Sequence, residues 1–167
     1  MAAVKQLHLL RHAKSSWDEP GLSDHERPLA ARGRKACKKL AKHLRRDGIR
    51  PELVLCSSSR RTRETLELIR PALEDAAIEI EDGLYAAGSD RLLGRLRALP
   101  ETAGAVLLIG HNPGLQDLAL ALAPGATRLE EGFPTGALAS FALDDTWARL
   151  GEVRAELVAY VVPRELP

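Results

Sequence analysis

Aromatic side chains are scarce: two Trp, two Tyr and two Phe make up 4% of the 167 residues. Without aromatics interleaved among its basic residues, the chain has no stacking platform for bases, so nucleic acid is not an expected partner. Cysteine is almost absent too. Cys37 and Cys56 fit neither a disulfide framework nor a metal-binding spacing, so both are read as reduced thiols, which points to the cytoplasm. No apolar run approaches the ~18 residues of a membrane span. The N-terminal KQLHLL is too short for a signal-peptide core and runs straight into charge, so no membrane association is expected. With 45% hydrophobic and 28% charged residues, the composition is that of a globular protein, and the length fits one domain over 1–167.

The formal net charge is only +1, but it is segregated. Eight Lys or Arg residues and no acid fall between Arg32 and Arg46, while five acids and no base fall between Glu74 and Asp82. The basic run is either the solvated face of a helix or a docking surface for an acidic or phosphorylated partner.

Short apolar runs alternate with segments of helical period. Strands are expected at Lys5–Leu10, Leu53–Cys56, Ile78–Glu81 and Ala105–Ile109. Helices are expected at Ala30–Arg46, with Ala36, Leu40 and Leu44 on one stripe, at Arg60–Leu73, with Leu66, Ile69 and Leu73 facing inward, at Asp90–Leu99, and at Pro113–Leu122 behind an Asn112 cap. Ala123–Gly136 lacks periodicity and reads as a loop. Ala137–Leu143 and Glu152–Val162 alternate with period two, as an antiparallel pair would. The order predicts a three-layer α/β/α fold, its sheet mainly parallel with an antiparallel C-terminal pair.

Polar residues collect after the best strands. The first ends in Arg11-His12, within LLRHAKSSW. The second runs into SSSRRTRET, where Arg60, Arg61 and Arg63 occupy the first helical turn. AVLLIG is followed by His111-Asn112-Pro113-Gly114. Carboxyl ends of parallel strands lie along one sheet edge, where ligands bind, and helix N-termini add N–H groups and partial positive charge there. Two histidines and at least two arginines should therefore meet, with no obvious acid among them. The ligand that fits is phosphate. His8 and His12 have the spacing of a metal pair, but that spacing shares a face only in a helix, and this segment reads as a strand. No metal or other cofactor is expected. His25 falls in a loop and His43 on the basic helix, both expected to be exposed. Asn112 reads as a helix cap, Cys56 as a buried strand-end thiol, and Trp17 and Tyr85 as candidates to border the pocket.

RHAKSSWD, ERPLAARG, SSSRRTRET, GLYAA, GHNPG and FPTGALASF, in that order between about Leu7 and Phe141, resemble the histidine phosphatase superfamily of phosphoglycerate-mutase-like fold, and within it the small SixA-type phosphohistidine phosphatases. The resemblance implies that Arg11 and His12 are the signature pair, His12 the nucleophile, Arg61 the second phosphate-binding arginine and His111 the second histidine. Lys14 and Ser15, just after the nucleophile, are candidate substrate donors. Two positions depart from the family. Ala13 replaces the signature glycine. Ala30 stands where many relatives open the helix with Thr, a lost cap costing about 1 kcal/mol.

The implied reaction passes the phosphoryl group to His12 and then to water, with arginines and helix ends supplying the electrostatics of a metal. Ester cleavage expels an alkoxide, whose conjugate acid resembles water at pKa ~15.7, and needs a general acid. The matching region, EIEDGLYAAG, offers Asp82 and Glu81, neither clearly occupying the family's acid position, and Asp82 is the candidate acid. A phosphohistidine can instead leave as neutral imidazole once its ring is protonated, the relevant pKa being about 6.5, and needs much less help. The expected substrate is a phosphohistidine-bearing protein; the alternatives are small phosphate esters, or an inactive phosphoprotein-binding module.

Overall fold

In the computed structural model, which describes residues 3–167, one six-stranded sheet carries helices on both faces. The elements run β1 (Lys5–Arg11), α1 (Ala31–Arg46), β2 (Leu53–Ser57), α2 (Arg60–Ile69), β3 (Ala77–Glu81), α3 (Ser89–Arg97), β4 (Ala105–Gly110), α4 (Gly114–Leu122), α5 (Thr127–Glu131), β5 (Leu138–Leu143) and β6 (Glu156–Val161). Strand order is β3-β2-β4-β1-β5-β6, parallel from β3 to β1, with β5 and β6 antiparallel. No helix among the described residues is long and apolar enough to cross a membrane.

Alternation of side chains along the central strands produces the three layers. Leu7 and Leu9 of β1, Leu55 of β2, and Val106 and Leu108 of β4 pack with Leu92 and Leu96 of α3 and Leu115 and Leu118 of α4. Their neighbours Leu10, Val54, Cys56, Leu107 and Ile109 face the other way, onto Leu40 and Leu44 of α1 and Leu66 and Ile69 of α2. Strands covered on both faces read as continuous apolar runs, which is why AVLLI is so clear a strand.

Several expectations shift. The buried stripe of α1 is Cys37, Leu40, Ala41 and Leu44, with Ala36 at its margin. His43, expected to be exposed, is buried, with Nε2 3.6 Å from the Asp47 carboxylate; apart from that polar end it serves as core. α2 ends at Ile69, before Leu73, because Pro71 lacks the N–H that would continue the α-helix; a 3-10 turn follows over Arg70–Ala72. Ala123–Gly136 contains α5, too short for periodicity to register. β6 starts at Glu156, not Glu152, because the preceding residues form a turn. Pro113 lies just outside α4, and Asn112 caps from one residue further back, its Oδ1 accepting from Gln116 N at 3.2 Å.

Close approach fixes the segment after β1. The Lys14 carbonyl accepts from Ala30 N at 2.9 Å, which occupies the amide of the uncapped Ala30. A Cβ on Gly33 would collide with that same carbonyl. Gly33→Ala should therefore destabilise the protein by about 1–3 kcal/mol, the usual cost of overpacking, read as a lowered urea midpoint at constant slope; an unchanged midpoint would show that the segment yields freely.

His8 is buried in the sheet, Nδ1 2.7 Å from Ser140 Oγ and Nε2 without a partner, and burial lowers its pKa from 6.5 to about 4. The unfolded chain thus binds a proton that the native state refuses. Stability is complete above pH 6.5 and falls as pH drops towards 4, by up to about 1.4 kcal/mol per pH unit for this group. His8→Gln should reduce the slope of unfolding free energy against pH by about one proton across that window; a slope equal to that of the wild type would show that His8 does not contribute.

Candidate active site

Parallel register brings the three polar strand ends level. Arg11 of β1 pairs with Gly110 of β4, and Cys56 of β2 with Ile109 of β4, so Ser57 ends level with Arg11, and His12 and His111 emerge side by side one residue beyond. The His12 and His111 ring centroids lie 5.4 Å apart.

His12 is held by its own backbone. Its Nδ1 donates to the Ala13 carbonyl at 2.7 Å, leaving Nε2 as the unprotonated nitrogen. His8 Nε2 and His43 Nδ1 are sealed and unpartnered; His12 Nε2 is not among the sealed atoms. Burial, reinforced by His111, Arg61 and Arg11, pushes the His12 pKa down to about 3, although the Ala13 carbonyl favours the charged form. The peptide following His12 is tied to α2: Ala13 N donates to Thr65 Oγ1 at 3.1 Å, and that hydroxyl donates to the Arg61 carbonyl at 2.7 Å. His12 N donates to Gly110 O, and Gly136 N reaches both the Arg11 and His12 carbonyls.

Three arginines open α2, and only one turns inward. Arg60 pairs with Glu64, and Arg63 donates to Ser58 O, while Arg61 is buried. Arg61 Nη1 donates to Asp24 O at 2.7 Å, and Nη2 lies 3.1 Å from Asp24 Oδ2 and 3.5 Å from His111 Nδ1. Because a guanidinium can only donate, His111 Nδ1 is the acceptor and Nε2 carries the proton, which it donates to Ser57 Oγ at 2.7 Å. Burial and Arg61 lower the His111 pKa to about 4, opposed by Asp24. Arg11 donates through Nη1 to Phe133 O at 3.0 Å, while its Nε is buried without a partner. Burial and Arg61 lower the pKa of Arg11, yet an arginine keeps its charge.

The expectation of a cluster without an acid is overturned. Asp24 contacts Arg61, Arg27 and the phenol of Tyr85, whose OH donates to Oδ2 at 2.5 Å. The Tyr85 bond, followed by those from the two arginines, lowers the Asp24 carboxyl to about 2, and the same bond raises Tyr85. The DHERP segment carrying Asp24 looks in sequence like any charged loop. Its buried Arg27 is the one clue, because its partners, Ser15, Ser16 and Asp24, lie within a dozen residues.

Tyr85 borders the site as expected, its ring 5.5 Å from His111. His25 is half-buried rather than exposed, 4.8 Å from the Tyr85 ring, with Nε2 3.0 Å from Ser58 Oγ. Trp17 is 72% exposed and stacks on the Arg27 guanidinium rather than on the histidines. Ser15 is buried and its hydroxyl accepts from Arg27 at 2.6 Å, so it holds an arginine rather than presenting a donor. Lys14 is exposed and lines a neighbouring basic groove. Asp82 is exposed at the end of β3 and makes no side-chain contact with the cluster. Both cysteines are free and buried, with thiols pushed up to about 12 by burial. No group of three or more His, Cys, Asp or Glu among the described residues is placed to hold a metal.

Residues 7–102 match the family model of the histidine phosphatase superfamily (branch 1). The phosphohistidine phosphatase SixA of Escherichia coli K12 is 32% identical over 144 residues, 84% of this chain and 87% of that protein. A solved structure from Nakamurella multipartitia, assigned as a phosphohistidine phosphatase SixA, superposes with a TM-score of 0.86 at 29% identity, covering 97% of this chain and 98% of the other. A protein histidine phosphatase SixA complexed with tungstate superposes with a TM-score of 0.80 at 28% identity, covering 95% and 97%. On its sequence, its sheet order and the side chains gathered at the strand ends, this chain belongs to the histidine phosphatase superfamily, branch 1, as a SixA-type phosphatase.

Proposed function

We propose that the protein hydrolyses phosphohistidine carried on another protein, through a covalent phosphoenzyme on His12. The observation that carries the reading is the His12 Nδ1–Ala13 carbonyl bond, which fixes the tautomer with Nε2 basic, beside Arg61, Arg11 and His111. Nε2 attacks phosphorus in line, forming a P–N bond as the bond to the substrate imidazole breaks. The departing imidazole keeps the proton on its other nitrogen and takes the electron pair. Water then attacks phosphorus, freeing His12 and inorganic phosphate. Arg11 and Arg61 hold the phosphoryl oxygens. A dianion beside His111 would offset the cations that lower its pKa, allowing Nδ1 to take up a proton and donate.

The substrate class follows from the acids. Asp24, held near 2, is ionised at neutral pH and has no proton to give; the Tyr85 hydroxyl is engaged with it; the exposed Asp82 meets Tyr85 only through its backbone carbonyl. An alkoxide would have to leave unaided, whereas an imidazole already protonated on its other nitrogen leaves as a neutral group and needs much less help. The named SixA relatives support the same substrate class for this chain, and the tungstate complex supports an oxyanion-binding centre. Lys14 and Ser15 then serve indirectly, Ser15 by positioning Arg27 and Lys14 from the adjoining groove. The free, buried thiols support a cytoplasmic setting.

With a phosphohistidine-bearing protein as substrate, radiolabelled phosphate should be trapped on the wild-type chain in acid-quenched reactions, and His12→Ala should lose both the label and at least about three orders of magnitude in rate. Turnover of sugar phosphates or nucleotides at far higher kcat/KM than the phosphoprotein would reverse the assignment. Because burial holds His12 at about 3, ring-carbon NMR shifts should report it neutral throughout pH 8 to 5. A midpoint near 6.5 would contradict the buried, cation-flanked environment proposed for the His12 ring.

A further inference from the structure

The basic run of α1 is not spent on structure. Beside the histidine cluster lies a groove of about 300 Å³ lined by Lys14, Arg32, Lys35, Lys39 and Arg164, with Pro163 and Ala36 among its apolar wall. No acid lines it among the described residues. Several surface arginines are matched, Arg50 by Glu74, Arg95 by Glu79 and Glu81, Arg128 by Glu165 and Arg149 by Asp145. Among the described residues, the exposed Lys38, Lys42 and Arg45 continue the unpaired basic run along α1, and Arg91 and Arg154 stand unpaired elsewhere. None of the five groove cations has an ion-pair partner among the described residues. Like charges gathered without counter-charge repel one another, and nothing in the fold offsets that here.

The groove is joined to the chemistry by backbone. Lys14 lies two residues beyond His12. Pro134 and Thr135 form part of the groove wall; the preceding Phe133 carbonyl accepts from Arg11, and the following Gly136 amide donates to the Arg11 and His12 carbonyls. A macromolecule placing a phosphoryl group at His12 would therefore extend over the groove. Arg32, Lys35 and Lys39 stand at i, i+3 and i+7 of α1, a stripe about 10 Å long at 1.5 Å per residue. Such a stripe, one guanidinium and two ammonium groups spread along a helix, differs from donors converging on one phosphate and suits several carboxylates spaced along a chain.

We infer that this groove docks an acidic, carboxylate-rich segment of the phosphorylated protein substrate, next to the phosphohistidine it presents. The inference rests on the phosphoprotein reading above and adds the chemistry by which the partner is chosen. Docking of this kind acts on encounter and binding and leaves the chemical step alone.

The test uses the full chain and the double variant Arg32→Glu/Lys35→Glu, both positions being solvent-exposed on α1. For a phosphohistidine protein with an acidic surface, KM should rise about tenfold or more with kcat unchanged, and the salt dependence of the wild-type kcat/KM should be largely lost. Hydrolysis of p-nitrophenyl phosphate should stay within about twofold of wild type. Separately, a labelled polyglutamate peptide should bind the wild type by fluorescence anisotropy, and the variant weakly or not at all. An unchanged KM, equal loss on the small ester, equal peptide binding by both proteins, or tighter binding of duplex DNA than of polyglutamate would each overturn the docking inference. Failure to turn over any phosphohistidine protein would instead overturn the substrate reading, and the peptide measurement would still decide the groove.

Discussion

The site depends on strand register. In a parallel sheet, each inter-strand ladder sets how far one carboxyl end stands beyond its neighbour, and a slip of one residue turns every side chain to the opposite face. The pairings Arg11 with Gly110 and Cys56 with Ile109 leave Ser57 level with Arg11, and His12 level with His111 one residue beyond. Two apolar layers lock that register, because Leu9, Leu55 and Leu108 must face α3 and α4 while Leu10, Val54 and Ile109 face α1 and α2. The rest is local tethering. Thr65 ties Ala13 to Arg61, Gly136 ties β5 to the carbonyls of Arg11 and His12, and Gly33 lets α1 close on Lys14.

Electrostatics explains how such a cluster stays folded and ready to act. Burial and mutual repulsion keep His12 and His111 neutral, so the only full positive charges are the guanidinium groups. Asp24 offsets one of them, and Tyr85 and Arg27 keep that carboxylate charged and pointed at Arg61. Asp24 thus does for Arg61 what the Phe133 carbonyl does for Arg11: each accepts from a guanidinium and fixes the position of its arginine.

What sequence revealed and what it hid divide along contact distance. The layers were legible because strands and helices repeat their pattern locally, and the meeting of Arg11, His12 and His111 at one sheet edge was legible because each lies at or just beyond the end of a strong strand. Selecting Arg61 among three arginines took the family resemblance; the physical reason, that Glu64 and Ser58 hold its neighbours outside, depends on the folded helix end. Asp24 was missed because its partners Arg61 and Tyr85 lie 37 and 61 residues away in a loop that carries no period. His43 was misplaced because a basic helix face looks solvated until Asp47 is seen turning back to meet it. Asp82 was favoured for lying near the region where larger relatives keep an acid, yet the end of edge strand β3 turns it to solvent.

The two cysteines bear on how the enzyme would behave in a stressed cell. Peroxide attacks thiolates, and a sulfur whose pKa is pushed up to about 12 beneath a closed sheet surface offers almost none. Cys56 sits one residue from Ser57, the partner of His111, yet its Sγ is turned onto the Ser57 carbonyl. A phosphatase built on imidazole and guanidinium, with its sulfurs sealed in this way, would keep dephosphorylating under oxidative conditions that silence its cysteine-dependent counterparts.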